Sequence, residues 1–116
     1  MFKVIIAGGR GFDDYSLLKD RLDLLLQNKT DIEIVSGTAR GADKLGERYA
    51  KENGYPISSH PANWDLHGKS AGYIRNKEMA EYADALVAFW DGKSKGTKHM
   101  IDLANQKNIL VRIVSY

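Results

Sequence analysis

The stretch Ser36–Asp43 (Ser-Gly-Thr-Ala-Arg-Gly-Ala-Asp) combines small residues with one arginine and one aspartate, side chains that suit a phosphate group and a sugar. It follows a β-branched run and comes directly before a helical pattern of apolar residues. A helix that begins there directs unpaired backbone N–H groups and a partial positive charge at a ligand, and Arg40 adds a guanidinium suited to phosphate. The sequence therefore predicts ligand binding by Ser36, Gly37, Thr38, Arg40, Gly41, Ala42 and Asp43.

Two further glycine-rich stretches also follow apolar runs. Gly8-Gly9-Arg10 comes after Phe2–Ala7, and Asp91–Thr97 comes after Ala83–Trp90. Any one such stretch can be a simple turn, but the carboxyl ends of parallel strands meet at one edge of a sheet. Three such loops at one edge favour a shared pocket. We therefore add Gly8, Gly9, Arg10, Asp91, Gly92, Ser94, Gly96 and Thr97 to the predicted ligand-binding residues.

Two of the larger candidate side chains have alternative interpretations. Asp43, in the first helical turn, can bind ribose hydroxyls or only complement the helix dipole. Trp64 lies in the polar, aperiodic stretch Pro61–Ser70, which we interpret as an ordered loop that can act as a lid; there it is a candidate for stacking on a base. The three histidines lack ligand-like spacing, so we predict no metal site.

Strand and helix patterns alternate about five times along the chain. The first helix has Asp13 or Asp14 as its cap and ends near Asn28, and the third strand, Tyr55–His60, is polar enough for an edge position. Short connections favour parallel strands with right-handed crossovers. We predict a single α/β, Rossmann-like domain over residues 1–116, with strand order 3-2-1-4-5, helices on both faces and a ligand where the chain reverses between strands one and four.

Composition restricts the class of protein. A chain of 116 residues with 43% hydrophobic and 28% charged residues is long enough for one core. It has no cysteine, no apolar run of membrane-spanning length and no signal-peptide pattern, so we expect a soluble, cytoplasmic protein. A net charge of only +2 is weak support for a dedicated nucleic-acid binder.

Several motifs together resemble the small YspA-type, YpsA-related branch of the SLOG superfamily, over nearly the whole chain. The motifs are Gly8–Asp13, Ser36–Asp43, Trp64 with Gly68-Lys69, Ala71-Gly72, Arg75-Asn76, and Trp90–Gly92 with Ser94–Thr97. The superfamily groups Rossmann-like domains similar to the DNA-processing protein DprA, the lonely-guy phosphoribohydrolases and sensor domains for ADP-ribose derivatives. The resemblance implies a nucleotide or nucleotide-derived ligand in the same groove and no other cofactor, and it adds Lys69, Arg75 and Asn76 to the candidate ligand-binding residues.

The resemblance leaves the activity open. In the phosphoribohydrolases the last glycine-rich motif leads to a catalytic glutamate, and here Met100 occupies that place. Asp43 and Asp91 are the candidate carboxylates for a ribosyl centre. We favour a nucleotide-binding sensor or sequestering module, with N-glycosidase activity second and DprA-like binding of single-stranded DNA third, since cations here alternate with acids. Asp102–Lys107 or the helix through Ile74 can serve an oligomer interface.

Overall fold

The computed structural model describes residues 1–116 and contains one sheet of five parallel strands. Their spatial order is β3-β2-β1-β4-β5, which confirms the predicted order, with the third strand at an edge. The strands are β1 (Phe2–Gly8), β2 (Ile32–Ser36), β3 (Ile57–Ser59), β4 (Ala85–Trp90) and β5 (Leu110–Ser115).

Helices cover both faces of this sheet. They are α1 (Tyr15–Leu25), α2 (Ala42–Asn53), α3 (Trp64–His67), α4 (Ala71–Tyr82) and α5 (Lys95–Gln106). None of them has the length and apolar character that a bilayer crossing requires.

Alternation along β1 divides the core into two layers. Val4 and Ile6 face the buried leucines of α1 and the buried part of α2, whereas Ile5 and Ala7 face α4 and α5. Successive side chains of a strand point to opposite faces, so a strand that is apolar at every position is buried on both sides. The fold class is therefore the Rossmann-like one expected from the apolar runs.

The register brings the ends of β1 and β4 to the same level. Gly8 pairs with Phe89, the next-to-last residue of β4, and the Gly9 N–H donates to the Phe89 carbonyl at 3.3 Å. Ile5 pairs with Val35, one residue before the end of β2. The loops that follow these three strands consequently meet at one edge, on either side of the point where the chain reverses.

Helix caps account for several of the observed boundaries. Asp14 is the cap of α1, because its Oδ1 accepts a hydrogen bond from the Leu17 N–H at 3.0 Å. Helix α1 ends at Leu25, earlier than the predicted end near Asn28. Helix α2 ends at Asn53, and its C-cap is Gly54, whose φ of +72° gives the left-handed conformation that glycine adopts freely.

Two segments expected to be irregular contain helix. Within residues 61–70, α3 and a 3-10 turn (Gly68–Ser70) replace the predicted loop, because the Asn63 side chain accepts from the Leu66 N–H at 3.1 Å and starts a helical turn. Helix α5 begins at Lys95, inside the stretch interpreted as a loop, with Ser94 as its cap. Short capping side chains thus fix local structure that periodicity does not reveal.

Candidate functional site

An open cleft of about 560 Å³ lies at the carboxyl edge of the sheet, and we call it the main cleft. Ten of the predicted ligand-binding residues line it: Gly8, Gly9, Arg10, Asp43, Arg75, Asn76, Asp91, Ser94, Gly96 and Thr97. Six other residues complete the lining: Ala7, Gly11, Ala39, Met79, Met100 and Tyr116. The loops after β1 and β4 therefore share one cavity with α2 and α4.

A smaller cleft of about 270 Å³, the side cleft, adjoins the first. The two share Arg10, Ala39 and Arg75. The residues found in the side cleft alone are Gly37, Thr38, Arg40, Pro61, Ala62 and Trp64, four of which are predicted ligand-binding residues. Trp64 is 53% exposed, so its ring is open to a ligand, and Arg40 lies in this cleft instead of the main one.

The β2–α2 loop is held by its own side chains. Ser36 is buried, donates to Glu47 Oε2 at 2.6 Å and accepts from the Thr38 N–H at 3.0 Å, so it contacts neither cleft. The Ala39 N–H donates to Asp43 Oδ2 at 3.0 Å. Two N–H groups of the turn predicted to hold a phosphate thus already have protein partners.

Four more predicted residues line neither cleft. Gly41, with φ of +77°, and Ala42 lie against the β1 loop, and the Ala42 N–H donates to the Gly9 carbonyl at 3.2 Å. Their small size serves the close packing of two loops. Lys69 and Gly92 are exposed on the surface outside both clefts.

Asp43 is the buried acid of the main cleft. It is 7% exposed, and burial raises its pKa to about 6, although the Ala39 N–H and the Arg75 charge favour the ionised form. A carboxyl group with this pKa exchanges a proton near neutral pH, which an exposed aspartate does not do. It can therefore accept hydrogen bonds from ligand hydroxyls or donate a proton.

Arg75 lies where the two clefts join. Its Nη1 donates to the Gly37 carbonyl, and its Nε donates to Asn76 Oδ1 at 2.9 Å. Burial lowers the pKa of Arg75, and nearby Asp43 opposes that change, but a guanidinium stays charged throughout the physiological range. The sequence indicated Arg75 only through the family motif, because it lies within α4 and not in a glycine-rich loop.

The start of α5 is a second feature that attracts anions. Asp91 Oδ1 accepts from the N–H groups of Lys93 at 2.8 Å and Ser94 at 2.9 Å, and these bonds lower the pKa of Asp91. The first helical residues, Lys95 and Gly96, have no intrahelical acceptor for their N–H groups. The partial positive charge of this helix end therefore points toward the main cleft, where Gly96 and Thr97 are lining residues.

Tyr116 and Met100 were absent from the predicted ligand-binding set. The Tyr116 hydroxyl lies over Gly9, where a Cβ would be only 2.2 Å away, and its ring makes an edge contact with Phe12 at 4.7 Å. No local pattern links residues more than 100 positions apart, so only the fold reveals this contact. Met100, 1% exposed, lines the cleft and supplies no acid.

The arrangement combines three chemical capabilities. Arg10 and Arg75 with the α5 terminus can bind anions, Asp43 can bind hydroxyls or move a proton, and Trp64 offers an aromatic face. No three His, Asp or Glu side chains converge in a way that can hold a metal ion.

Solved structures share this fold at low sequence identity. DNA processing protein A from Streptococcus pneumoniae superposes with a TM-score of 0.80 at 17% identity, over 100% of this chain and 51% of that one. The chain thus spans about half of that protein. DNA processing protein A from Helicobacter pylori, whose structure describes a single-stranded DNA binding mode, superposes with a TM-score of 0.70 at 21% identity, over 99% of this chain and 66% of the other.

A curated relative and a family model identify the group. Gene 61 protein of Mycobacterium phage D29 is 37% identical over 118 residues, which cover 96% of this chain and 94% of the phage protein. The family model for YspA, cpYpsA-related SLOG proteins matches residues 2–67, which include β1, β2 and the loops that follow them. The chain belongs to the YspA, cpYpsA-related SLOG family.

Proposed function

We propose that this protein is a single-domain sensor or sequestering module of the cytoplasm that binds a nucleotide or nucleotide-derived small molecule. The observation that supports the proposal most strongly is the Arg75 guanidinium, which lies at the junction of the main and side clefts beside the buried Asp43. A phosphate bound to Arg75 would leave space for the rest of the ligand in the main cleft and in the side cleft. A nucleotide, with a sugar and a base joined to its phosphate, matches this layout.

The placement of the ligand follows from the charges. Its phosphate would lie against Arg75, Arg10 and the N-terminus of α5, which offer charged and backbone donors. Its ribose hydroxyls would donate to Asp43, and its base would stack on Trp64 in the side cleft. This assignment moves the phosphate from the β2–α2 turn toward α5, because Asp43 and Ser36 already occupy N–H groups of that turn.

The partial burial of Arg75 supports an anionic ligand. Removing a guanidinium from water is unfavourable unless it is paired, and Arg75 forms no ion pair within the protein. Its protein acceptors are a carbonyl and an amide oxygen, which are neutral. A bound phosphate would supply the missing negative charge.

Mass spectrometry of small molecules released by denaturing the purified protein tests the proposal. We expect an intact nucleotide or nucleotide derivative, which should rebind to fresh protein. If no such molecule is released and none of the common nucleotides binds in calorimetry, the proposal is wrong.

A second candidate function is hydrolysis of an N-glycosidic bond. Two carboxyl groups line the main cleft with pKa values moved in opposite directions: burial raises that of Asp43 to about 6, and backbone hydrogen bonds lower that of Asp91. Such a pair is what acid catalysis with an ionised partner requires. Incubating the nucleotide with the protein would then yield free base and ribose phosphate, and Asp43→Asn would abolish this product.

Single-stranded DNA is the macromolecular alternative. A basic track that follows a DNA backbone gives affinity that falls steeply with salt. Asp43 and Asp91 lie among the cations of the main cleft, which weakens such a track. Titration with a fluorescent oligonucleotide at two salt concentrations distinguishes the alternatives, and the nucleotide proposal predicts no tight DNA binding.

A further inference from the structure

Asn76 is a buried amide whose orientation is fixed from two sides. It is 7% exposed, and its Oδ1 accepts from Arg75 Nε at 2.9 Å. Its Nδ2 lies 3.5 Å from the Gly96 carbonyl, which can only accept. Because arginine can only donate and a carbonyl can only accept, the amide oxygen must face Arg75 and the amide nitrogen must face α5.

This orientation determines the protonation of His99. Asn76 Nδ2 also lies 3.2 Å from His99 Nδ1. An amide N–H only donates, so Nδ1 must be the bare, accepting nitrogen, and the proton of the neutral ring must be on Nε2. A continuous chain of hydrogen bonds therefore runs from His99 through Asn76 and Arg75 to the Gly37 carbonyl.

We propose that His99 is a positioning residue for Arg75, and that protonation of His99 weakens anion binding in the main cleft. An imidazolium has no acceptor, so Asn76 Nδ2 would face an N–H group at 3.2 Å. If the Asn76 amide rotated by 180°, its NH2 group would instead face Arg75 Nε, which is also a donor. In both cases Asn76 no longer holds the Arg75 guanidinium in place. The inference rests on the proposed binding of an anionic ligand at Arg75.

The surroundings of His99 favour the neutral ring at neutral pH. Burial lowers its pKa, and Asp102, one turn farther along α5, acts in the opposite direction. From α4, the Tyr73 ring makes an edge contact with the imidazole at 4.5 Å, and Arg75 is connected to it through Asn76. The intact chain of hydrogen bonds is thus the state at neutral pH, and it is lost on acidification.

Protonation of His99 and protonation of Asp43 should change the affinity for an anion in opposite directions. Protonation of Asp43, whose pKa is raised to about 6, removes a negative charge from the cleft and strengthens anion binding as the pH falls. Protonation of His99 also adds a positive charge, but it removes the acceptor that holds Asn76 and, through Asn76, Arg75. We expect the loss of this short-range contact to outweigh the added charge, so that anion binding weakens. An Asp43→Asn background removes the first effect, so affinity in that variant should fall on acidification.

Matched substitutions at His99 test the positioning role. His99→Leu removes the acceptor, whereas the oxygen of His99→Asn can reach the place of Nδ1 and accept at every pH. With sulfate as the probe, because its charge is constant over the range used, we expect His99→Leu to lose about tenfold in affinity at neutral pH, an effect typical of groups that orient a binding residue. His99→Asn should restore the affinity. Equal affinities of His99→Leu and wild type would overturn the inference.

A pH series separates positioning from simple structural support. Sulfate affinity is measured between about pH 5 and about pH 8 in Asp43→Asn and in Asp43→Asn/His99→Asn. Asp43→Asn should lose affinity on acidification, whereas Asp43→Asn/His99→Asn should gain slightly or stay constant. The other histidines are present in both proteins, so any difference between the two comes from His99. The same slope in the two proteins would refute the switch.

An NMR readout decides the inference even if the proposed function fails. The Arg75 Nε–H signal should lose its protection from solvent exchange in His99→Leu and regain it in His99→Asn. If wild type binds no sulfate but this pattern holds, the proposed anion site is wrong and the positioning role stands. If the Arg75 signal is the same in all three proteins, the positioning role is wrong whatever the ligand.

Discussion

Arg75 and Asp43 both approach the position where Gly37 lacks a Cβ, and they do not form an ion pair there. A Cβ at Gly37 would be 2.7 Å from Arg75 Nη1 and 2.8 Å from Asp43 Oδ2. Glycine at this position lets a carboxylate from α2 and a guanidinium from α4 approach the same loop. The two charges remain separate, so each can interact with a different part of a ligand.

Replacing Asp43 with asparagine should stabilise the protein at neutral pH. Burial raises the pKa of Asp43 from 3.8 to about 6, a difference worth about 3 kcal/mol. A raised carboxyl pKa contributes stability that is complete below the unfolded value and is lost as the pH rises through the folded value. We expect Asp43→Asn to gain about 1–3 kcal/mol in the free energy of unfolding at pH 7.

Urea unfolding at neutral and acidic pH checks this prediction. The gain should disappear near about pH 4, where the folded wild type carries a protonated Asp43. Asp20→Asn, on the exposed side of α1, is the control and should change little at either pH. A loss of stability in Asp43→Asn at pH 7 would show that the ionised carboxylate supports the fold.

Arg75 and Arg40 should differ in their contribution to nucleotide binding. We expect Arg75→Gln to weaken binding of adenosine monophosphate by about 10- to 100-fold, since it removes a charge-assisted contact. Arg40→Gln should lose less than about fivefold, because its side chain is exposed in the side cleft. Calorimetry on the two variants measures both values, and circular dichroism confirms that each is folded. The reverse ranking would contradict the placement of the phosphate.

Alanine substitutions at three glycines, at the end of β1 and in the loop after it, should reduce the free energy of unfolding by different amounts. At Gly8 a Cβ would lie 2.4 Å from the Phe89 carbonyl oxygen and 2.8 Å from the Ala42 Cβ, so we expect a loss of about 1–3 kcal/mol. At Gly9 the obstacle is the Tyr116 hydroxyl, the far end of a side chain that can move, so the loss should be smaller. Gly11 has no atom within 4 Å of a Cβ and should tolerate alanine. Denaturant unfolding ranks the three, and equal losses at Gly8 and Gly11 would contradict the packing.

Trp64 should report the bound base. It is 53% exposed, whereas Trp90 is half-buried and donates from its indole Nε1 to the Ser94 carbonyl at 3.1 Å. Nucleotide should therefore quench fluorescence in Trp90→Phe, which retains Trp64, and cause little quenching in Trp64→Phe. Quenching that persists in Trp64→Phe would place the base elsewhere.

Much of the fold follows from patterns in the sequence. The unbroken apolar run of β4 and the polar β3 were enough to predict a central and an edge strand, and the structure confirms both positions. Parallel strands then bring the glycine-rich loops together without further information. Helix α3 and the start of α5 were missed because single capping side chains, Asn63 and Ser94, set them.

The details of the site depend on contacts between distant residues. Arg75 bonds to Gly37 across 38 positions, and Tyr116 meets Gly9 from the end of β5. Arg40 stood out in the sequence because it lies in the small-residue turn, yet Arg40 is exposed and the half-buried cation is Arg75. Periodicity locates strands and helices, but it does not show which of these two arginines lines the main cleft.

The most direct test of the proposed function is an NMR titration of isotope-labelled protein with adenosine monophosphate. We expect the largest shifts in the amides of Gly8–Gly11, in Gly96 and Thr97 and in the Arg75 side chain, with a change in the Trp64 indole. If these signals stay constant with this and every other common nucleotide, or if the shifts map away from both clefts, the nucleotide site is not where we place it.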